Sequence, residues 1–204
     1  MTEPQIKTEL RDHTPVLIRP VVAADMPLIK IGMDRLSAQS RYYRFLQPVP
    51  HLSDHRLKWL DQIDQINHIA WGALEISDTR QEPIGLARCI RLAEGSTDAE
   101  IAVAVVDSHQ RKGLGTMLTA AVAFTASHSG ISQFLATVMA DNENMLEVFD
   151  ELDAKRRFNS GVFEITIPLH TDADAYPQSG AGHVFRHIYA LLSKATKGTP
   201  TATT

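Results

Sequence analysis

The 204-residue chain holds one cysteine, Cys89, so no disulfide can form within it, and the composition fits a reducing compartment. It also lacks any apolar run near the ~20 residues that a membrane span requires. Basic residues are not in excess. Twenty Lys and Arg face 24 Asp and Glu, a formal net charge of -4 that gives no general attraction to nucleic acid or an anionic membrane. The opening MTEPQIKTELRDH carries charge early and has no apolar core, so it does not read as a secretory signal. Apolar residues still make up 44%, enough for one domain with a substantial core. The expectation is a soluble, cytoplasmic protein.

Residues 1–14 are polar and read as a flexible arm ahead of a folded domain spanning 15–170. Val16 to Val22 is strand-like, and Asp25 is placed to cap a short helix carrying Leu28, Ile29, Met33 and Leu36. A second helix is expected from Ser53, with Leu57, Leu60 and Ile63 at helical spacing. His68–Ile76 and Ile84–Leu92 are apolar-rich runs around a turn-prone segment and read as an antiparallel hairpin. A strand over Glu100–Val106, a helix over Leu114–Ser127 stopped by Gly130, a strand over Phe134–Met139, a helix over Glu143–Leu152 and a strand over Gly161–Leu169 complete the domain. Small and polar residues 171–182 read as a linker to an amphipathic helix within 183–197, and the Thr-rich 198–204 as a disordered tail. This order predicts a mixed α/β (α+β) domain without the strict alternation of a doubly wound sheet.

The most informative segment joins the Glu100–Val106 strand to the Leu114 helix: Asp107-Ser108-His109-Gln110-Arg111-Lys112-Gly113-Leu114-Gly115-Thr116. Orphan N–H groups and the positive end of the helix dipole converge at such a junction, a ready anion site. Gly113 and Gly115 let the backbone approach a phosphate, and Arg111 and Lys112 add charge. The string is neither G-x-x-x-x-G-K-[ST] nor G-x-G-x-x-G, since Leu118 stands three positions after Gly115. Two glycines making only a tight turn is the competing reading.

Gln110-x-x-Gly113-x-Gly115 resembles the Q/R-x-x-G-x-G/A acyl-CoA motif of the GNAT superfamily of N-acetyltransferases, and Ala99–Val103 and Asp141–Met145 resemble its flanking strand and asparagine segments. Leu36-Ser37-Ala38-Gln39-Ser40-Arg41-Tyr42-Tyr43-Arg44-Phe45, with Asp64 and His68-Ile69-Ala70, is similar to the bacterial Pat-type protein-lysine acetyltransferases of that superfamily. The resemblance implies a central mixed, mostly antiparallel sheet with two splayed parallel strands, flanked by helices. It implies acetyl-CoA as co-substrate, with Val103, Ala104 and Val105 offering backbone groups to the pantetheine arm. Arg111, Lys112, Gly113, Leu114, Gly115 and Thr116 would cradle the pyrophosphate, and Asn142 would contact the cofactor arm. The implied reaction moves an acetyl group to a primary amine, such as a protein lysine.

Glu100 shares a strand face with Ala102, Ala104 and Val106 and is the polar member of an apolar row. A solvent-facing carboxylate and a general base both fit this; the resemblance favours the base. Many GNAT enzymes carry a tyrosine seven residues after the motif asparagine to protonate the leaving thiolate, and Phe149 stands there instead. That departure favours the alternative of an acyl-CoA sensor with weak or no catalysis. Cys89 reads as a packing residue. His51 with His55, and His183 with His187, lack a third ligand at metal-site spacing, so no metal is expected. The Arg41–Arg44 cluster reads as substrate cleft or packing ahead of a nucleic-acid patch. The stripe on the last helix reads as packing or a homodimer contact ahead of a membrane surface.

Overall fold

A computed structural model describes residues 4–48, 62–77 and 81–197. The expected helix from Ser53, apart from its last apolar position Ile63, and the 198–204 tail lie outside the described residues. Eight strands form one sheet: β1 (Ile6–Glu9), β2 (Pro15–Pro20), β3 (His68–Ile76), β4 (Gln81–Arg91), β5 (Asp98–Val105), β6 (Gln133–Met139), β7 (Lys155–Asn159) and β8 (Val162–Pro168). Their order is β1-β2-β3-β4-β5-β6-β8-β7, antiparallel throughout except for the β5–β6 pair. Helices α1 (Met26–Asp34) and α2 (Ala38–Phe45) follow β2, α3 (Leu114–His128) joins β5 to β6, α4 (Glu143–Asp150) follows β6, and α5 (Gly180–Lys197) ends the described chain. The mixed α/β class and the single parallel pair are those expected.

Helix α3 is apolar almost all round because it is covered on two sides: it packs on β3, β4 and β5 beneath and on α5 above. Gly85 on β4 allows the close approach. A Cβ there would lie 2.8 Å from Leu118 Cδ1 and 3.2 Å from Leu114 Cδ2. The other sheet face holds a smaller cluster, in which Ile29, Met33 and Leu36 cover Val21, Ala70, Leu86 and Val106. The two helical layers thus place opposite faces of β5 in different environments.

Several details depart from the sequence reading. Residues 6–9, expected in a flexible arm, pair with β2 from Ile6↔Ile18 to Glu9↔Pro15, and Ile6 and Leu10 are buried. Two anchors in an otherwise polar segment suffice once β2 supplies a partner edge. Asp25 precedes α1 but makes no side-chain cap; its carboxylate is taken by Arg19 in two 2.7 Å bonds and by the Val22 N–H. β7 is an exposed edge strand, polar apart from the exposed Phe158 and with no apolar alternation, so no period announced it. The 171–182 stretch is not a free linker: Tyr176 is buried, its hydroxyl 2.7 Å from that of Tyr189 on α5, and α5 begins three residues before His183. The α5 stripe packs inward through Phe185, Ile188, Tyr189 and Leu192, each burial contributing roughly 1.5–3 kcal/mol. Among the described residues no helix is long and apolar enough to cross a membrane.

Candidate active site

The β5–β6 ladder is short. It pairs Asp98↔Gln133, Ala99↔Phe134 and Glu100↔Leu135, after which β5 runs on to Val105 beside β4 and β6 to Met139 beside β8 without further pairing to each other. A cleft of about 530 Å³ opens between the diverging strands. The β5 stretch Ala102 to Val105 forms one wall, Ala136 to Val138 and Asn142 the other, and Ser40, Tyr43 and Arg44 of α2 roof it. Unpaired strand-edge N–H and C=O groups in such a gap are hydrogen-bond partners for an extended, amide-bearing chain.

At the far end of β5 a 3-10 turn, Asp107–His109, leads into the loop. Arg111 (φ 62°) and Gly113 (φ 89°) both take left-handed backbone, which curls the loop in the manner of anion-binding turns. Gly113 is the N-cap of α3, and Gly113, Gly115 and Thr116 bring the start of that helix, with its orphan N–H groups, to the same end of the cleft. Gln110 Nε2 donates to the Val105 carbonyl (3.0 Å) and to Ser40 Oγ (2.9 Å), so the motif glutamine fixes the turn of the loop.

Most predicted site residues meet here. Glu100, Val103, Ala104, Val105, Arg111, Gly113, Gly115, Thr116 and Asn142 line the one cleft. Leu114 turns its side chain into the core and offers only backbone. Lys112 is turned to a different task, its ammonium 2.7 Å from Asp12. Sequence reasoning missed Arg11, which lines the cleft from the β1–β2 turn, and the anchoring of α2 by the loop. Asp107 accepts from Ser37 N–H (2.9 Å), Ser37 Oγ (2.7 Å) and Ser40 Oγ (2.9 Å). Partial burial raises the Asp107 carboxyl, but those bonds outweigh it and hold the group below its ordinary range. Tyr43 reaches across to donate to the Asp141 carbonyl at 3.3 Å, tying α2 to the other wall.

Glu100 occupies the vertex where the strands part, as the last residue of β5 paired with β6. It lies on the face turned from α3: its neighbours Ala99 and Ile101 belong to the α3-side core, whereas Ala104 and Val106 belong to the α1-side cluster. The carboxylate is exposed to the cleft and acts on two guanidiniums, Arg44 and Arg88. Burial and Arg88 push Arg44 down to about 10. His68 is 4% exposed, and burial with Arg88 repulsion pushes it down to about 4, so it is neutral at neutral pH. Phe149 lines the cleft at 2% exposure and carries no proton to give. Cys89 is buried with its thiol pushed up to about 12 by desolvation, which makes it inert as a nucleophile. Among the described residues no cluster suited to a metal ion exists.

Comparison with known proteins follows the same geometry. A family model, the acetyltransferase (GNAT) family, matches residues 36–153. Acetyltransferase Pat of Mycolicibacterium smegmatis is 30% identical over 149 residues, covering 73% of this chain and 44% of that protein, so the chain spans less than half the length of this relative. The GNAT domain of S. lividans PAT superposes with a TM-score of 0.73 at 28% identity, over 81% of this chain and 97% of that one. A cAMP-binding acyltransferase from Mycobacterium smegmatis shares the fold with a TM-score of 0.60 at 24% identity, over 94% of this chain and 55% of that one. Splayed strands, a glycine-turned loop and these similarities lead to one assignment: the chain belongs to the GNAT acetyltransferase family.

Proposed function

We propose that the chain is an acetyl-CoA-dependent N-acetyltransferase whose acceptor is a primary amine, with a protein lysine the class favoured by its likeness to Pat. The observation that carries this is the continuity of the cleft: a curled loop at the α3 N-terminus lies at one end of β5 and Glu100 at the other. The loop suits a pyrophosphate, the open β5 edge an amide-bearing pantetheine, and the Glu100 vertex the reacting centre. Asn142, which lines the facing wall, supports a contact to the same arm.

The amine nitrogen attacks the thioester carbonyl carbon, a C–N bond forms and the C–S bond breaks. The amine proton passes to Glu100, directly or through water, and the thiolate leaves. A lysine with pKa ~10.4 is neutral in about one molecule in 2,500 at pH 7, so deprotonation costs roughly 4–5 kcal/mol without help. A carboxylate at the vertex supplies that help. No covalent enzyme intermediate is required. With phenylalanine at 149, the thiolate departs as such or takes its proton from water. Phe149 is also the one observation favouring the second reading, an acyl-CoA sensor.

Calorimetry with acetyl-CoA and an assay of thiol release across amines and peptide lysines test the proposal. Gly113→Glu places bulk and negative charge at the loop and should abolish binding. Unchanged affinity in the folded variant would contradict the loop assignment, and binding without turnover on any amine would support the sensor.

A further inference from the structure

The loop offers two basic side chains by sequence, Arg111 and Lys112, but the fold rearranges this supply. Lys112 Nζ is 2.7 Å from Asp12 Oδ2, and Asp12 also accepts from Thr14 Oγ1 at 2.8 Å. The ammonium bond to Asp12 is the largest of the effects holding that carboxyl well below its ordinary range. An ammonium paired in this way is largely neutralised as seen from the cleft. Asp12 belongs to the turn between β1 and β2, and the residue beside it takes the opposite course. The Arg11 N–H donates to the Lys112 carbonyl at 3.1 Å, which sets the turn against the loop. The Arg11 side chain then lies over Gly113, where a Cβ would stand 3.6 Å from Arg11 Nε. Arg11 lines the cleft, and among the described residues its guanidinium has no hydrogen-bond or ion-pair partner.

The delivery is firm. Leu10 is buried next to Arg11, its N–H donates to the Thr14 carbonyl at 2.9 Å, and β1 is paired along its length with β2. We infer that Arg11, presented by the β1–β2 turn, is a phosphate-binding residue of the acyl-CoA cleft, taking the part that sequence offers to Lys112. This rests on the acyl-CoA reading above. A planar guanidinium above an N-cap glycine complements the orphan N–H groups, since both address oxygens of one phosphate from different sides. The Asp12–Lys112 pair then acts as a clasp that holds the turn to the loop.

Calorimetric titration of acetyl-CoA into wild type, Arg11→Ala and the double variant Asp12→Asn/Lys112→Met tests the inference. Arg11→Ala should weaken binding about 10- to 100-fold, the scale of a lost charge-assisted contact. The double variant should weaken it by about threefold at most: it removes no cation that faces the ligand, and the β1–β2 ladder with the Arg11 N–H bond to the Lys112 carbonyl holds the turn in place without the clasp. The Arg11→Ala loss should disappear for S-acetylpantetheine, which carries no phosphate, when KM is compared. With acetyl-dephospho-CoA, an equal loss assigns the contact to the pyrophosphate, and a vanished loss assigns it to the 3′-phosphate. Wild type that binds no acetyl-CoA removes the reading and the inference together. Wild-type binding with Arg11→Ala within about twofold overturns the inference alone.

Discussion

Ser37 and Asp107 lie 70 residues apart in sequence and are joined by two hydrogen bonds to one carboxylate, at 2.9 Å from the Ser37 N–H and 2.7 Å from its hydroxyl. Ser37 is also the N-cap of α2, its oxygen accepting from the Ser40 N–H at 3.1 Å. The helix that roofs the cleft is thus latched to the turn that opens the Gln110–Thr116 loop.

Asp107→Ala and Ser37→Ala should therefore be non-additive. Each removes a shared bond, and a double-mutant cycle in urea should return a coupling of about 1 kcal/mol. Additive losses would mean the two residues act apart. The latch carboxyl is held below its ordinary range, so its contribution is complete above about pH 4 and is lost only as pH falls further.

His68 gives stability a pH dependence of its own. Its folded value of about 4 lies below the ordinary 6.5, so between these pH values the unfolded chain binds a proton that the folded one refuses. Stability should fall as pH drops from 6.5 to 4, by up to about 3 kcal/mol from this group. Melting curves across that range should show the slope in wild type and a flatter profile in His68→Gln. Parallel profiles would rule out His68 as the source.

Gly85→Val tests the packing of α3 on the sheet. The added Cβ alone meets Leu118 and Leu114 inside contact distance, and overpacking of this kind typically costs about 1–3 kcal/mol. The melting temperature should drop by several degrees. An unchanged melting temperature would show that α3 yields at no cost.

The parts of the site legible in the sequence are those written within a few residues. Gln110, Gly113 and Gly115 announce a strand-to-helix junction with exposed N–H groups, and Glu100 stands out as polar on an apolar strand face. Arg11 could not be found that way, because its role depends on β1 pairing with β2 and on a backbone bond to Lys112, neither of which leaves a local pattern. The same holds for the Ser37–Asp107 latch. The charge and position of Lys112 are visible in sequence, whereas its ion-pair partner Asp12 is 100 residues away and leaves no local sign. Tyr176 was hidden by its neighbours: a single buried aromatic among polar residues has no periodicity to show. Strand β7 shows the opposite failure, since an edge strand exposed along its length needs no apolar alternation.

The proposed reaction in this cleft is acetyl transfer to an amine with Glu100 as base. The most direct test is the pH dependence of thiol release from acetyl-CoA at saturating amine, for wild type and Glu100→Gln, with acetyl-CoA affinity measured in parallel. Affinity should be equal, turnover roughly 10²- to 10⁴-fold lower in Glu100→Gln at neutral pH, and the gap should narrow as pH rises toward the amine pKa. Near wild-type turnover in Glu100→Gln at neutral pH, with chemistry limiting the rate, would contradict it.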